Sequence, residues 1–175
     1  GIPEGTIKNL QEAGIDFVSG EAAFLNDETL SVSGKQIQAK FFILATGAKP
    51  TQLPIEGQEH VITSDDFLSL NALPPSICFI GGGFISFEFA HFAARLGSAN
   101  QRSVILEASD RPLETFDAEM VELLAAASRA ECIDVKSSVD IEAIEKHAKG
   151  FSVRTANSGS FEADLVVHGA GRVPD

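Results

Sequence analysis

Residues 76–86 read SICFIGGGFIS, an apolar run that ends in three consecutive glycines and continues into a segment with helical periodicity. Gly81, Gly83 and Ser86 form a G-x-G-x-x-S pattern between a predicted strand and a predicted helix. In dinucleotide-binding folds the first glycine permits a tight turn and the second lets the pyrophosphate approach the backbone. The third position must be small so that helix and strand can pack. The alternative is a glycine-rich turn without a ligand.

The next predicted strand, SVILE at 103–107, ends in a carboxylate. A dinucleotide fingerprint predicts an acidic residue there, about 20 residues after the first glycine, to accept the ribose hydroxyls. Glu107 follows Gly81 at a somewhat longer distance, and the polar segment 98–102 is a loop that accounts for the excess. Strand, glycines, helix, strand and carboxylate therefore occur in the expected order, and they predict a nucleotide site. An exposed Glu107 unrelated to a ligand is the alternative.

Charge near this strand end bears on which nicotinamide cofactor is bound. Glu107 and Glu114 are acidic and would repel a 2′-phosphate, so NAD(H) is favoured. Arg102 and Arg111 flank the same loop, and either of them leaves NADP(H) open.

The second part of the chain alternates strands and helices, which favours a parallel sheet with helices on its faces. The predicted elements are strand 76–80, helix 84–96, strand 103–107, helix 117–130 and strand 133–138. Strands 140–147, 150–156 and 161–170 follow, the last two joined as a hairpin by the turn NSGS. The predicted fold class is α/β, with a Rossmann-like parallel sheet.

The first part of the chain predicts a short helix over 4–13 and an antiparallel β-meander. Its strands are expected at 15–24, 28–34 and 36–46, and the last of them becomes continuously apolar, as a buried strand does. Residues 47–57 are rich in Gly and Pro and predict a linker. We therefore expect two domains, 1–47 and 48–175.

Composition excludes several classes of protein. The chain has 175 residues, 44% hydrophobic, with a net charge of −12, which argues against a disordered chain and against nucleic acid as a partner. No apolar run approaches the ~20 residues of a membrane span, and residues 1–10 lack the features of a signal peptide, so we expect a soluble protein. Cys78 and Cys132 have no metal-ligand spacing, so no metal site is expected. We predict that both are buried, reduced thiols of a cytoplasmic protein.

Three segments together resemble the FAD-dependent pyridine nucleotide-disulfide oxidoreductases, the family of glutathione reductase, mercuric reductase and dihydrolipoamide dehydrogenase. They are FFILATGAKP at 41–50, VITSDDFLSLNALPPSICFIGGGFISFEFA at 61–90 and ADLVVHGAGRVPD at 163–175. The family commonly has Asn where this chain has Asp175. The resemblance implies that residues 1–47 are part of an FAD domain, with a short helix, a meander and the A-T-G strand. Residues 48–175 would form the NAD(P)-binding domain.

The resemblance also implies roles for single residues. Phe84 would lie over the nicotinamide pocket, unless it simply packs under its helix, and Glu88 would be the catalytic carboxylate beside nicotinamide and flavin, unless it is a surface acid near His91. The glycine turn and Glu107 would hold the pyrophosphate and the adenosine ribose through Gly81, Gly82, Gly83, Ile85 and Ser86. Further cofactor contacts are implied for Ala45, Thr46 and Gly47 with FAD, and for Gly169, Ala170, Gly171 and Arg172 with both cofactors, although turns favour small residues anyway.

Family members are longer, so we expect this chain to come from the middle of one. It has neither a second G-x-G-x-x-G for FAD nor a C-x-x-x-x-C redox pair. The parent is expected to pass hydride from NAD(P)H to FAD and on to a disulfide or similar acceptor, and to be a homodimer through a domain outside this chain. The 175 residues alone are expected to be inactive. Two alternatives are a free-standing module that senses nicotinamide dinucleotides, and an interaction domain that has lost its ligand.

Overall fold

The computed structural model describes residues 4–175. The chain divides into two compact units, Gly1–Ala45 and Thr46–Asp175. Among the described residues, no helix is both long and apolar enough to cross a membrane.

The first unit holds one helix and one small antiparallel sheet. Its elements are α1 (Glu4–Glu12), β1 (Ala22–Asn26), β2 (Thr29–Val32) and β3 (Lys35–Gln38). The strands lie in the order β1-β2-β3, as the predicted meander requires. The first strand begins at Ala22, whereas the alternating pattern had predicted 15–24. Residues 15–20 have no strand partner among the described residues, and an alternating pattern without a partner does not form a strand.

The predicted final strand of this unit is wrong beyond Gln38. Residues 39–47 are irregular, and Phe41, Ile43 and Leu44 are exposed at 87%, 93% and 73%. Phe42 is half-buried and contacts Phe24 of β1, with ring centroids 5.0 Å apart. A continuously apolar strand needs neighbours on both edges and cover on both faces. The three strands of this unit pair with one another, and none of them pairs with residues 40–45.

The second unit is built on a four-stranded parallel sheet with the order β11-β5-β6-β7. Its strands are β5 (Ser76–Ile80), β6 (Arg102–Leu106), β7 (Ile133–Lys136) and β11 (Leu165–His168). The crossovers contain α3 (Phe84–Leu96) and α4 (Ala118–Ala130). This architecture confirms the predicted fold class. Since Ile80 pairs with both Leu106 and His168, the segments that follow β5, β6 and β11 leave the sheet at one edge.

Both faces of this sheet are covered, which explains why β5 reads as a continuous apolar run. The helices cover one face, where Phe79, Ile105 and Ile133 are fully buried. The other face packs against a second antiparallel sheet with the order β10-β9-β8. Its strands are β8 (Ile141–His147), β9 (Gly150–Thr155) and β10 (Ser160–Ala163).

Two predictions for this unit need correction. The segment predicted as a single strand at 161–170 is divided between β10 and β11. Asp164 lies between them, and its carboxylate accepts hydrogen bonds from the N–H and the hydroxyl of Ser76. The predicted linker at 47–57 contains β4 (Ala48–Pro50), which pairs antiparallel with β12 (Arg172–Pro174). A 3₁₀ helix, Gln58–His60, and α2 (Ser64–Leu68) complete the unit.

Candidate functional site

The tight turn after β5 depends on Gly81. Its φ is +93°, in the left-handed region that favours glycine, and its N–H donates to the carbonyl of Leu106 at 2.7 Å. A Cβ at this position would overlap the backbone of Ala170. The first glycine of the pattern is therefore required both by its backbone conformation and by the close approach of the segment after β11.

The carboxylate of Glu107 lies against the second glycine of the turn. Its Oε2 accepts the N–H of Gly82 at 2.5 Å, and its Oε1 accepts the N–H of Ser109 at 2.8 Å. A Cβ at residue 82 would come within 2.9 Å of Oε2 and 2.7 Å of Cβ of Pro112. A carboxylate has about four acceptor positions, so two remain for the hydroxyls of a sugar.

Ser86 departs from the glycine or alanine that is usual at the third small position. It is fully buried, and its hydroxyl donates to the carbonyl of Gly81 at 2.5 Å. Space for the hydroxyl comes from Gly169, where a Cβ would overlap Ser86 Oγ. The serine therefore stabilises the turn and leaves its outer face open.

Helix α3 begins directly above the turn, with Gly83 as its N-cap and no acidic residue in its first turn. No atom of residues 4–175 accepts a hydrogen bond from the N–H groups of Gly83, Phe84 or Ile85. Unpaired N–H groups at the start of a helix, together with its dipole, attract anions and phosphates in particular.

A cavity of about 630 Å³ opens over the turn and the strand ends. Three carboxylate residues line it, namely Glu107, Glu114 and Asp140, and no lysine or arginine of the described chain does. Its walls come from the glycine turn, the loop after β6, the start of β8, and residues 53, 55 and 169–171. The cavity thus lies between a helix end with unpaired N–H groups and an acidic rim.

A second, largely apolar cavity of about 640 Å³ lies between α3 and α4. Phe84 is 58% exposed and lines both cavities, which does not favour the alternative in which it packs under its helix. Glu88 is exposed and lines the second cavity together with His91, and it does not line the first. The role of Glu88 beside the nicotinamide therefore remains a prediction.

The remaining predicted cofactor residues divide into two groups. Gly169, Ala170 and Gly171 line the first cavity. Arg172 instead points at β4, where its guanidinium donates to the carbonyl of Ala48. Thr46 and Gly47 hydrogen-bond the backbone of residue 175, and Ala45 belongs to the first unit. None of these last four residues lines the first cavity.

The two arginines considered as phosphate ligands lie elsewhere. Arg102 begins β6, so it sits at the opposite end of the strand from Glu107, and it lines a different cavity. Arg111 donates to main-chain carbonyls of its own loop. Sequence reasoning missed Ser109, Pro112 and Leu113, which lie in the irregular segment after β6 and contact the turn or the Glu107 carboxylate. The proline was the one residue in that segment whose type indicated an irregular backbone.

Both thiols were expected to be buried, and the structure buries only one of them. Cys78 is fully buried in β5, and burial raises the pKa of its thiol well above the ordinary value. Cys132 is exposed, because it follows the last turn of α4 with φ of +60° and precedes β7. Neither forms a disulfide, and residues 4–175 contain no group of three or more potential metal ligands.

The sequence similarity to known proteins extends over nearly all of this chain. The family described as pyridine nucleotide-disulphide oxidoreductase matches residues 2–175. A glutathione reductase of Burkholderia cepacia is 34% identical over 173 residues, covering 98% of this chain and 38% of that protein. A mercuric reductase of Staphylococcus aureus is 30% identical over 177 residues, covering 98% and 32%.

A solved structure is also similar, that of the HOCl-induced flavoprotein disulfide reductase RclA from Escherichia coli. It matches with a TM-score of 0.83 and 28% identity, over 98% of this chain and 40% of that one. The chain therefore spans less than half the length of each of these relatives.

Proposed function

Because this chain belongs to the pyridine nucleotide-disulphide oxidoreductase family, we propose that its second unit binds a nicotinamide dinucleotide over the glycine turn. In the whole protein the bound dinucleotide would supply hydride to FAD, and the electrons would pass on to a disulfide or a similar acceptor. The similarity to glutathione and mercuric reductases and to a flavoprotein disulfide reductase supports a reductase.

One observation carries the proposal for the dinucleotide. The unpaired N–H groups of Gly83, Phe84 and Ile85 lie beside the turn to which the Glu107 carboxylate is anchored. The pyrophosphate would accept hydrogen bonds from these N–H groups, and the ribose hydroxyls would donate to the two open acceptor positions of Glu107. The positive end of the helix dipole would then balance the charge of the pyrophosphate, since no lysine or arginine of residues 4–175 lines the cavity.

We propose NAD(H) as the preferred cofactor. Glu107, Glu114 and Asp140 line the cavity, so a 2′-phosphate would meet negative charge on several sides. Neither arginine considered from the sequence lines this cavity. Among residues 4–175, the cavity thus offers good acceptors for a free 2′-hydroxyl and no cationic partner for a phosphate.

The remaining roles complete the same proposal. Phe84, at the wall between the two cavities, would cover the nicotinamide ring, and Glu88 would act beside nicotinamide and flavin. Residues 1–47 would belong to the FAD-binding part, with Ala45, Thr46 and Gly47 at the flavin, and residues 48–175 to the nicotinamide-binding part. We also propose a cytoplasmic location, which two unpaired thiols support. A homodimer would depend on segments outside these 175 residues.

Calorimetric titration of the 175-residue chain with NADH and with NADPH tests the proposal. We expect saturable binding of NADH in the micromolar to millimolar range and binding of NADPH at least about tenfold weaker. Glu107→Gln should weaken NADH by about tenfold, because a charge-assisted acceptor is lost. Glu162→Gln is the matched control, since this exposed acid lies outside the cavity. No saturable binding of either nucleotide would contradict the proposal.

A further inference from the structure

Arg111 is a charged side chain that the proposed function does not yet use. Its guanidinium donates to three main-chain carbonyls of the following loop, those of Glu114 at 2.6 Å, Phe116 at 2.9 Å and Leu113 at 3.5 Å. No carboxylate of residues 4–175 forms an ion pair with it. The positive charge is therefore directed into the loop and is compensated by carbonyl dipoles.

The loop held by Arg111 has an unusual backbone. Leu113 adopts a φ of +50°, a strained conformation that a bulky residue rarely takes. Its side chain packs against the core on the helix side of the sheet. A planar guanidinium with five N–H donors can serve several converging carbonyls at once, which an ammonium on a flexible stem does poorly. Arg111 thus stabilises a loop conformation that is locally unfavourable.

The loop in turn fixes the glycine turn. The N–H of Leu113 donates to the carbonyl of Gly82 at 3.0 Å, while the N–H of Gly82 donates to Glu107. Pro112 lies over the same glycine, at the position where a Cβ would be. Both polar groups of Gly82 are therefore held, one by the Arg111 loop and one by the carboxylate proposed to bind the ribose.

We propose that Arg111 is a positioning residue for the dinucleotide, acting through Leu113 and Gly82. The inference rests on the proposed function and deepens it in one respect. The place of Arg111 in the sequence, just after the strand that ends near Glu107, favours a direct contact with a 2′-phosphate. Its hydrogen bonds favour an indirect role, which does not depend on whether that phosphate is present.

Arg111→Lys and Arg111→Gln separate the two roles, because lysine keeps the charge but not the planar set of donors. Calorimetric titration would use the 175-residue chain with NADH, ADP-ribose and NADPH. We expect both variants to weaken NADH and ADP-ribose by about tenfold, with the NADPH to NADH ratio unchanged within about twofold. Arg129→Gln is the matched control, since Arg129 is exposed in the last turn of α4 and has no side-chain partner among the described residues.

An Arg111→Lys variant with full NADH affinity, or a loss confined to NADPH, would overturn the inference. Amide hydrogen exchange without any nucleotide gives a second readout. Exchange at Leu113 and Gly82 should be faster in Arg111→Lys and unchanged in Arg129→Gln, and unaltered exchange in the lysine variant would also overturn it. If Arg111→Gln does not fold, the lysine variant carries both measurements. If the unaltered chain binds no NADH, the proposed function fails, and amide exchange still decides whether Arg111 holds the turn.

Discussion

The hydroxyl of Ser86 fills the volume that a Cβ at Gly169 would need. The two residues lie on different elements, one in α3 and one directly after β11, and the hydroxyl also donates to the carbonyl of Gly81. The side chain of Ser86 is thus accommodated because residue 169 has no side chain. The choice of residue at 86 is coupled to the choice at 169.

Gly169→Ala should destabilise the chain by about 1–3 kcal/mol, because the added methyl overlaps Ser86 Oγ in a packed interior. The same substitution should cost less in a Ser86→Ala background, with a coupling energy of about 1 kcal/mol or more. Chemical denaturation of the four proteins of this double-mutant cycle measures the coupling.

Gly5→Ala is the control for this cycle, since a Cβ at residue 5 has no neighbour within 4 Å and lies inside α1. It should be neutral or stabilising by up to about 1 kcal/mol. Equal costs for Gly169→Ala in both backgrounds would contradict the coupling.

The two thiols should react at very different rates. Cys132 is exposed, whereas Cys78 is fully buried and its raised pKa keeps it protonated, so of the two thiols only Cys132 is accessible to a reagent. With dithiobis(nitrobenzoate), one thiol per folded chain should react rapidly, and two thiols per denatured chain should react, as measured by the absorbance of the released thionitrobenzoate. Cys132→Ser should abolish the rapid phase, and a rapid phase that persists in this variant would be inconsistent with the burial of Cys78.

Acid should weaken the N-terminal cap of α2. Asp66 Oδ2 accepts the N–H and the hydroxyl of Thr63, and these hydrogen bonds lower the pKa of Asp66 below its ordinary value of 3.8. A lowered pKa in the folded state stabilises the protein above the ordinary value, and the contribution is lost as the pH falls through the folded one. The difference in unfolding free energy between the unaltered chain and Asp66→Asn should therefore shrink below about pH 4. A difference that stays constant or grows on acidification would refute this.

The exposed apolar segment should tolerate substitution. Ile43→Ala should change the free energy of unfolding by less than about 0.5 kcal/mol, because the side chain is 93% exposed. Ile105→Ala, at a fully buried position, should cost about 2–5 kcal/mol. Denaturant unfolding compares the two, and a cost at Ile43 similar to that at Ile105 would show that the segment is packed in solution.

Sequence alone predicted the elements whose signals are local. The apolar run 76–80 and the periodic segment 84–96 coincide with β5 and α3, and the turn NSGS joins β9 to β10 as expected. In each case the pattern and its bounding residues lie within a short stretch, so no distant partner decides the outcome.

The sequence predictions are wrong where the structure of a segment depends on a residue far away in the chain. Strand β4 forms because it pairs with β12, more than a hundred residues later, and no local pattern announces that pairing. The opposite occurs at 40–45, where the composition is strand-like but no strand of the described residues pairs with the segment. From its charge alone, Arg111 is expected to contact a 2′-phosphate. Its guanidinium instead donates to carbonyls of its own loop, whose backbone conformation the composition does not reveal. The assignment of the cofactor residues remains a prediction.

The central claim is that the N–H groups at the start of α3 bind a pyrophosphate. Amide chemical shifts of the isotopically labelled chain, recorded by NMR during titration with NADH, test it most directly. We predict that the largest saturable changes occur at Gly83, Phe84 and Ile85, and that they weaken in Glu107→Gln. Changes centred on the opposite end of the sheet, near Arg102 and Arg129, or no saturable change at all, would contradict the account.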